Sequence, residues 1–257
     1  MRVGVVGAAG RMGMTVCAAI SAADEMDLVA AVDVGDASRT VGSGLAIRAD
    51  LEALADAGAD VAVDFTVAGA ATANATWCAG HGIHSVIGTT GIDDAALSTL
   101  RDAFPPAGPL GCVVVPNFAI GAVLMMHFAA LASPWFDTAE IIELHHDAKV
   151  DAPSGTAMLT ATRMAAASAE WGEDPTRVEV VAGARGGSGP GGIRIHSVRL
   201  RGLVAHQEVL LGGTGESLAI RHDSYDRQSF MPGVLLAVRQ VGQRPGVTVG
   251  LEALLGI

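Results

Sequence analysis

The sequence predicts an α/β protein: an N-terminal doubly wound parallel sheet, followed by a C-terminal α+β domain. Short apolar strands alternate with helical segments at βαβ spacing through residues 1–118. From residue 119 the pattern changes, and residues 193–224 contain three long alternating strands joined by short turns. Residues 229–257 form an amphipathic helix and an apolar tail. We therefore expect domains at 1–118 and 119–228, with 229–257 returning to the first domain and a hinge at the two crossings.

Composition and charge narrow the function classes. Half of the 257 residues are apolar and only 4% are aromatic, so Ala, Val, Leu and Ile must build the core. The formal net charge of −11 argues against nucleic acid or an anionic membrane as partner. The uncharged stretch 103–136 is interrupted by prolines, and its helical part is too short to span a bilayer.

We expect a cytoplasmic protein. The chain enters a strand pattern at its first residues, which predicts no signal peptide. The three cysteines, Cys17, Cys78 and Cys112, form no CxxC pair and lie among apolar residues. We interpret them as reduced core thiols rather than metal ligands, and the sequence predicts no metal site.

A glycine turn follows the first strand. Residues 2–13, RVGVVGAAGRMG, place Gly7, Gly10 and Gly13 between an apolar strand and a helix. Glycines in this context let the backbone approach a pyrophosphate, which binds at the helix N-terminus. The second strand ends at Asp33, where a carboxylate would accept hydrogen bonds from ribose hydroxyls. The sequence thus predicts a Rossmann-type dinucleotide-binding domain.

Three further turns follow later strands of the same domain. The segments DFT (64–66), GTT (88–90) and PNF (116–118) each come at the carboxyl end of a strand. Ligands of doubly wound sheets bind at this edge, so we expect these turns to line the nicotinamide pocket. Each alone could be ordinary turn chemistry. Residues 35–50, which are polar and contain glycine, are expected to form a loop.

The most distinctive segment is ELHHDAKVDAPSGT, residues 143–156. It lies between an alternating strand and a strong helix pattern, and either Ser154 or Thr156 of the SGT turn (154–156) is placed to cap that helix. The loop carries His145, His146 and Lys149 beside free backbone N–H groups. Such a loop is suited to binding a small carboxylate and giving it a proton. Adjacent histidines alone are common in structural positions; the lysine and the SGT turn favour chemistry.

The segment HHDAKVDAPSGTA resembles the signature of the dihydrodipicolinate reductase family of the diaminopimelate and lysine pathway. The resemblance extends through GAAGRMG, VDFT, IGTTG, PNFAIGAV, LVAHQEV, IRHDSYDR and FMPGVLLAVR. It implies reduction of 4-hydroxy-tetrahydrodipicolinate to tetrahydrodipicolinate with NAD(P)H. It also implies a homotetramer whose C-terminal domain binds the small dicarboxylate substrate and makes the tetramer contacts.

The resemblance also implies residue roles. His145 matches the family's catalytic histidine, Lys149 its proton-donating lysine and His146 a ligand of one substrate carboxylate. The second carboxylate site lies at the helix start, which comprises Ser154, Gly155 and Thr156. The implied cofactor-binding residues are Gly7, Ala8, Ala9, Gly10, Arg11, Met12, Asp33, Gly88, Thr89, Thr90, Val115, Pro116, Asn117 and Phe118. The nicotinamide would give hydride to a ring carbon of a conjugated cyclic imine, and the His145/Lys149 pair would give the proton.

NADH is expected to serve at least as well as NADPH. Some relatives carry a lysine at the position of Ala9 and an arginine at that of Val34, and this sequence has neither. Arg11 is then the nearby cation for a 2′-phosphate, which would also face Asp33.

Two alternatives stay open. An imine or amino-acid dehydrogenase resembling aspartate dehydrogenase accounts for the glycine turn but not for the HH…K…SGT segment. A catalytically silent NAD-binding sensor would be favoured by loss of His145 or Lys149, and both are present.

Overall fold

The computed structural model describes residues 1–35, 39–42, 44–168 and 170–257. The chain forms two compact units. Unit 1 comprises residues 1–120 and 227–257, and unit 2 comprises residues 121–226.

Strands and helices alternate along most of the chain. The strands are β1 (Arg2–Val6), β2 (Asp27–Val32), β3 (Thr40–Val41), β4 (Leu45–Arg48), β5 (Val61–Asp64), β6 (His84–Ile87), β7 (Gly111–Val114), β8 (Thr138–His145), β9 (Gly187–Ser188), β10 (Arg194–Arg199), β11 (Ala205–Gly213), β12 (Glu216–Ser224) and β13 (Gly246–Val249). The α-helices are α1 (Arg11–Ser21), α2 (Glu52–Asp56), α3 (Ala68–Gly80), α4 (Asp94–Ala103), α5 (Ile120–Ala132), α6 (Gly155–Ala167), α7 (Met231–Val241) and α8 (Glu252–Leu255).

Unit 1 is built on a parallel sheet. Over the residues described, this sheet has eight strands in the order β13-β7-β6-β5-β1-β2-β4-β3, and β3 runs antiparallel to its neighbour β4. From β1 the chain moves outward through β2, then continues on the other side of β1 from β5. The carboxyl ends of β1 and β5 therefore mark the switch point, where a doubly wound sheet leaves a crevice for a ligand.

The prediction of a loop over residues 35–50 is wrong in part. Residues 36–38 and 43 lie outside the described part of the chain. Residues 40–41 form β3, and residues 45–48 form β4, which pairs in parallel with β2. Ile47 of this strand is only 2% exposed, so the strand is held by burial of one apolar side chain. The strand lies within a polar segment that contains glycine, a composition that favours a loop.

Unit 2 is built on a mixed sheet with α6 packed on one face. Within the part of the chain described, its strand order is β12-β11-β8-β10-β9, with β8 parallel to β10 and antiparallel to β11. Ile141 of β8 packs in a buried cluster with Ala157, Ala161 and Met164 of α6. Because side chains alternate along a strand, Glu143 and His145 lie on the same face as Ile141. The central strand thus carries these two residues to the end of the sheet beside α6.

The three cysteines are core residues, as their apolar neighbours in the sequence predicted. Cys17, Cys78 and Cys112 are free and buried, and loss of solvent raises the pKa of Cys17 and Cys78 to about 12. Such thiols stay protonated, as expected for core residues. No helix in the described ranges is long and apolar enough to cross a membrane.

Candidate active site

The glycine turn of unit 1 is closely packed. The N–H groups of Gly7 and Ala8 donate to the carbonyl oxygen of Val32 at 2.9 and 3.1 Å, which ties the turn to the end of β2. Gly7 has a φ of +80°, which favours glycine. A Cβ on Gly13 would lie 2.0 Å from the oxygen of Gly7, so a side chain there would force α1 away from the turn.

Asp33 closes the same turn from the end of β2. Its Oδ2 accepts a hydrogen bond from the Ala9 N–H at 3.0 Å, and its Oδ1 accepts one from the Gly35 N–H at 2.8 Å. Gly10 is the N-cap of α1, so no cap side chain satisfies the first N–H groups of that helix. A carboxylate and a set of free N–H donors therefore border one turn.

The turn after β5 is fixed by a buried aspartate. Asp64 accepts hydrogen bonds from the N–H and Oγ1 of Thr66 at 2.8 and 2.6 Å, and from Nδ2 of Asn74 at 2.8 Å. Thr89, in the next turn along the edge, donates from Oγ1 to the carbonyl of Thr66 at 3.0 Å. Asp64 thus stabilises the DFT turn, and the hydrogen bond from Thr89 joins this turn to the GTT turn.

Aromatic packing connects these turns to the PNF turn. The rings of Phe65 and Phe118 lie 5.7 Å apart between centroids. A Cβ on Gly88 would lie 2.2 Å from the Phe65 ring, so glycine is required there. Asn117 accepts a hydrogen bond from the Ala119 N–H through Oδ1 at 2.9 Å. The three turns predicted from sequence to share one edge do so.

In unit 2, a buried glutamate organises the loop after β8. Glu143 is 0% exposed. Its two oxygens accept hydrogen bonds from Nη1 and Nη2 of Arg199 at 2.9 and 2.8 Å, from Nδ1 of His145 at 2.5 Å, and from the Ser154 N–H at 3.2 Å. The carboxylate therefore joins β8, β10 and the start of α6.

The charges in this cluster shift two pKa values. Burial by itself would raise the pKa of Glu143, but hydrogen bonds from Arg199, Ser197 and His145 outweigh it and leave that pKa below its ordinary value. Loss of solvent lowers the pKa of His145. Glu143 opposes this decrease, whereas the cations of Lys149 and Arg199 reinforce it, and the result is a lowered pKa. In the unliganded protein the carboxyl is ionised and the imidazole is held towards its neutral form.

The start of α6 is capped as the sequence predicted. Ser154 is the N-cap residue, and its Oγ accepts a hydrogen bond from the Ala157 N–H at 3.2 Å. Gly155 begins the helix, and a Cβ added there would meet nothing within 4 Å. Thr156 is half-buried. The first turn of this 13-residue helix thus offers N–H donors and the positive end of its dipole beside Glu143 and His145.

Lys149 and His146 occupy the loop between β8 and α6. The Lys149 Nζ donates to Oδ1 and Oδ2 of Asp151 at 2.7 and 2.9 Å. The Lys149 N–H donates to the carbonyl of His146 at 3.2 Å, and the His146 side chain is exposed. Lys149 is close enough to His145 to lower its pKa. The two candidate proton donors thus lie at the end of β8 and in the loop that follows it.

A second histidine–glutamate pair joins β8 to β10 at a distance from the loop. Glu140 accepts hydrogen bonds from Nε2 of His196 at 2.7 Å and from Nη2 of Arg185 at 2.6 Å. Arg185 also donates from Nε to Asp174 at 3.3 Å. The guanidinium of Arg185 is thus engaged by two carboxylates of this chain.

Comparison with known proteins identifies the family. The models for "Dihydrodipicolinate reductase, N-terminus" and "Dihydrodipicolinate reductase, C-terminus" match residues 1–118 and 121–255. The chain belongs to the dihydrodipicolinate reductase family. A Cutibacterium acnes protein named 4-hydroxy-tetrahydrodipicolinate reductase is 52% identical over 259 residues, covering 100% of this chain and 99% of that protein. One from Nocardia farcinica is 50% identical over 261 residues, with the same coverage.

A solved structure agrees with this assignment. The dipicolinate-bound dihydrodipicolinate reductase of Paenisporosarcina sp. TG-14 superposes with a TM-score of 0.90 at 41% identity, covering 98% of each chain. The predicted family and fold class are confirmed.

Members of this family are NAD(P)H-dependent oxidoreductases, and the edge of unit 1 fits a dinucleotide. Gly7 and Gly10 allow the backbone of the turn to approach a pyrophosphate, and the fixed carboxylate of Asp33 is positioned as an acceptor for hydroxyl groups. Arg39 is a cation beside α1 that was not predicted from the sequence. Its Nη2 lies 3.4 Å from Sδ of Met14 on that helix.

Sequence reasoning missed three residues of the unit 2 cluster, namely Glu143, Arg199 and Asp151. The signal for Glu143 was available, since it shares the alternation of Ile141 and therefore falls on the buried face of β8. A charged residue at a buried strand position requires a partner. Nothing local to the loop could identify Arg199, which lies 56 residues away along the chain.

Proposed function

We propose that this chain reduces 4-hydroxy-tetrahydrodipicolinate to tetrahydrodipicolinate with a nicotinamide dinucleotide, in diaminopimelate and lysine biosynthesis. Relatives of about half-identical sequence over the whole chain carry this name. The observation that carries the proposal is Glu143, which holds both His145 and the capped start of α6. One carboxylate thus places a proton-transfer group beside an anion site. No specific observation favours the dehydrogenase or sensor alternatives.

The nucleotide would be held by unit 1. The backbone of residues 7–12 would bind the pyrophosphate, Asp33 the adenine ribose, and residues 88–90 and 115–118 the nicotinamide end. When bound, the cofactor supplies a hydride to a ring carbon of the substrate. Because Asp33 is an anion that suits ribose hydroxyls and repels a 2′-phosphate, we propose that NADH is used at least as well as NADPH.

The substrate carries two carboxylates and would bind to unit 2. The start of α6, residues 154–156, would take one carboxylate through N–H groups and the helix dipole. His146 and Lys149 would take the other. In a chain of net charge −11, attraction of a dianion depends on such local cations. The dipicolinate bound to the Paenisporosarcina enzyme supports a ligand of this kind.

The His145/Lys149 pair would complete the reduction. Loss of water from the 4-hydroxy compound gives the conjugated imine. Hydride addition to this imine would leave an enamine anion, and its neighbouring carbon would then form a C–H bond as an N–H bond of the pair breaks. The pair regains its proton from solvent. A bound dianion raises the pKa of His145, so the imidazole is protonated as the complex forms. General acid catalysis of this kind contributes about 10²- to 10⁴-fold.

We also propose that residues 119–228 form the substrate-binding and tetramerisation domain and that the chain is a homotetramer, as the family resemblance implies. The chain has a mass of 26.0 kDa, so four copies give 4 × 26.0 = 104 kDa. Light scattering coupled to gel filtration would report this mass, and a monomer would contradict the assembly.

The activity is tested by a coupled assay. Purified protein is added to enzymatically generated 4-hydroxy-tetrahydrodipicolinate, and loss of NADH absorbance is followed. We expect oxidation that depends on both substrate and protein. Binding of NADH without any substrate-dependent oxidation of NADH or NADPH would refute the proposal.

A further inference from the structure

We propose that Glu143 is a positioning residue, which fixes His145 in the tautomer that carries hydrogen on Nδ1 and so makes Nε2 the atom that exchanges the catalytic proton. This inference rests on the proposed function for the role of His145. Glu143 itself is buried beneath the loop and would act through the imidazole. Its effect would be to decide which ring nitrogen takes part in proton transfer.

The first step is the identity of the donor in the short contact between Nδ1 and Glu143. Four N–H groups converge on the two carboxylate oxygens: two from Arg199, one from His145 and the backbone N–H of Ser154. An ionised carboxylate can only accept hydrogen bonds. The hydrogen between Nδ1 and Oε2 therefore belongs to His145. Nδ1 keeps its hydrogen whether the imidazole is neutral or charged. The ring therefore gains or loses its other proton at Nε2.

The second step is the fixed orientation of the carboxylate. Arg199 contacts both oxygens of Glu143, and its Nη2 also donates to the carbonyl of Asp151 at 2.6 Å. Such two-point contacts set the plane of a carboxylate as well as its position. Arg199 also faces His145 in the register of β8 and β10. The imidazole therefore hydrogen-bonds to an acceptor that cannot easily rotate.

The third step is the link to the anion site. Ser154 donates its backbone N–H to Oε1 of Glu143, and its own side chain caps α6. The same carboxylate thus fixes both the imidazole and the helix start where a substrate carboxylate would bind. Displacing Glu143 would disturb the distance between proton donor and substrate, on which rate depends steeply.

The charges around His145 determine how its pKa would change if Glu143 were replaced by a neutral residue. Glu143 on β8 raises the pKa of the imidazole, whereas Lys149 in the loop and Arg199 on β10 lower it; Asp151 balances part of their charge. Glu143→Gln keeps the size of the side chain but removes its negative charge. The pKa of His145 should fall further. The amide NH₂ group would face an Arg199 donor in either orientation, and at the position of Oε2 it would also face Nδ1, which favours the opposite tautomer.

The test begins with the tautomer of His145 in the wild-type protein, where Glu143 is intact. Nitrogen-15 NMR of histidine-labelled protein distinguishes the two neutral tautomers, with His145 assigned by its loss in His145→Ala. We expect hydrogen on Nδ1 of His145 above its pKa. A neutral His145 with hydrogen on Nε2 would overturn the proposal. This measurement needs no substrate, so it is independent of whether the proposed reaction occurs.

Kinetics of Glu143→Gln provide the second measurement, with Glu140→Gln as a matched control. Glu140 lies on β8 like Glu143 and hydrogen-bonds to His196 of β10, but within the described residues it makes no hydrogen bond or ion pair with His145. We expect kcat of Glu143→Gln to fall about 100-fold, with KM for the dicarboxylate within about threefold and NADH affinity unchanged. The limb of the pH profile due to His145 should move to lower pH.

Glu140→Gln should retain kcat within about threefold. Equal loss of kcat in both variants, or near wild-type kcat in Glu143→Gln, would overturn the positioning role. If wild type itself fails to reduce the substrate, the proposed function fails, and the tautomer measurement still decides how Glu143 acts on His145.

Discussion

Replacing Lys149 by alanine should separate catalysis from folding. The change removes a cation and a proton donor from the proposed dicarboxylate site. We expect kcat to fall by about 10²- to 10⁴-fold, the usual contribution of a general acid. At 1.36 kcal/mol for each tenfold change, a 100-fold loss corresponds to about 2.7 kcal/mol of transition-state stabilisation.

The same substitution should hardly affect the fold. The Lys149 Nζ pairs with Asp151, whose side chain is 57% exposed. Exposed ion pairs contribute little to stability because solvent screens them and ordering two side chains costs entropy. The melting temperature should therefore change by no more than a few degrees. NADH affinity should also persist, because the candidate cofactor residues belong to unit 1.

The assay compares Lys149→Ala with two further variants in the coupled reaction. Lys149→Arg keeps the charge but is a poor acid near neutral pH, so it should also lose kcat while KM rises less than in the alanine variant. Arg201→Ala is the matched control, since Arg201 is 92% exposed and pairs with Asp147 of the same loop. It should keep nearly wild-type kcat.

Two results would refute the reasoning. If Lys149→Ala keeps most of its turnover, the loop does not supply the proton. If Lys149→Arg retains near wild-type kcat, Lys149 acts only as an electrostatic anchor. The double variant with His145→Ala should be less impaired than the product of the single losses, because residues acting as one unit are non-additive.

Further predictions concern the cofactor, the helix cap and pH. Asp33→Ala should weaken NADH binding more than NADPH binding in fluorescence titrations; a wild-type preference for NADPH above about tenfold would contradict the proposed choice. Ser154→Ala should lower the free energy of unfolding by about 1 kcal/mol in urea and raise KM for the substrate; unchanged values would exclude a capping role. Burial lowers the pKa of His84, His145 and His222 below 6.5 in the folded chain. The unfolded chain therefore binds protons more readily, so stability should hold above about pH 6.5 and fall as pH drops through the folded values; urea midpoints that do not fall would contradict this.

Much of unit 1 could be predicted because its signals are local. Strand, glycine turn and helix occupy residues 2–21 in sequence order, and the structure reproduces that order as β1 and α1. The N-cap role of Ser154 follows from its position directly before an apolar helix pattern. β4 was missed because it lies within the polar, glycine-containing segment 35–50, and its pairing with β2 and the burial of Ile47 are tertiary features.

The electrostatic organisation of unit 2 could not be predicted in the same way. The sequence places His145 and Lys149 in one loop, but the register of β8 against β10 brings Arg199 opposite His145. That register depends on packing over the whole sheet. Glu143 could have been recognised as a buried charge from strand alternation, yet its donors come from two other elements.

The most direct test of the central claim is the fate of the transferred hydrogen. NADH carrying deuterium at both C4 positions is supplied to the protein with enzymatically generated 4-hydroxy-tetrahydrodipicolinate, and the product is analysed by mass spectrometry. The proposed reaction predicts tetrahydrodipicolinate that contains one deuterium from the cofactor, with the second new hydrogen from solvent through the His145/Lys149 pair. Oxidation of NADH without labelled tetrahydrodipicolinate would contradict it.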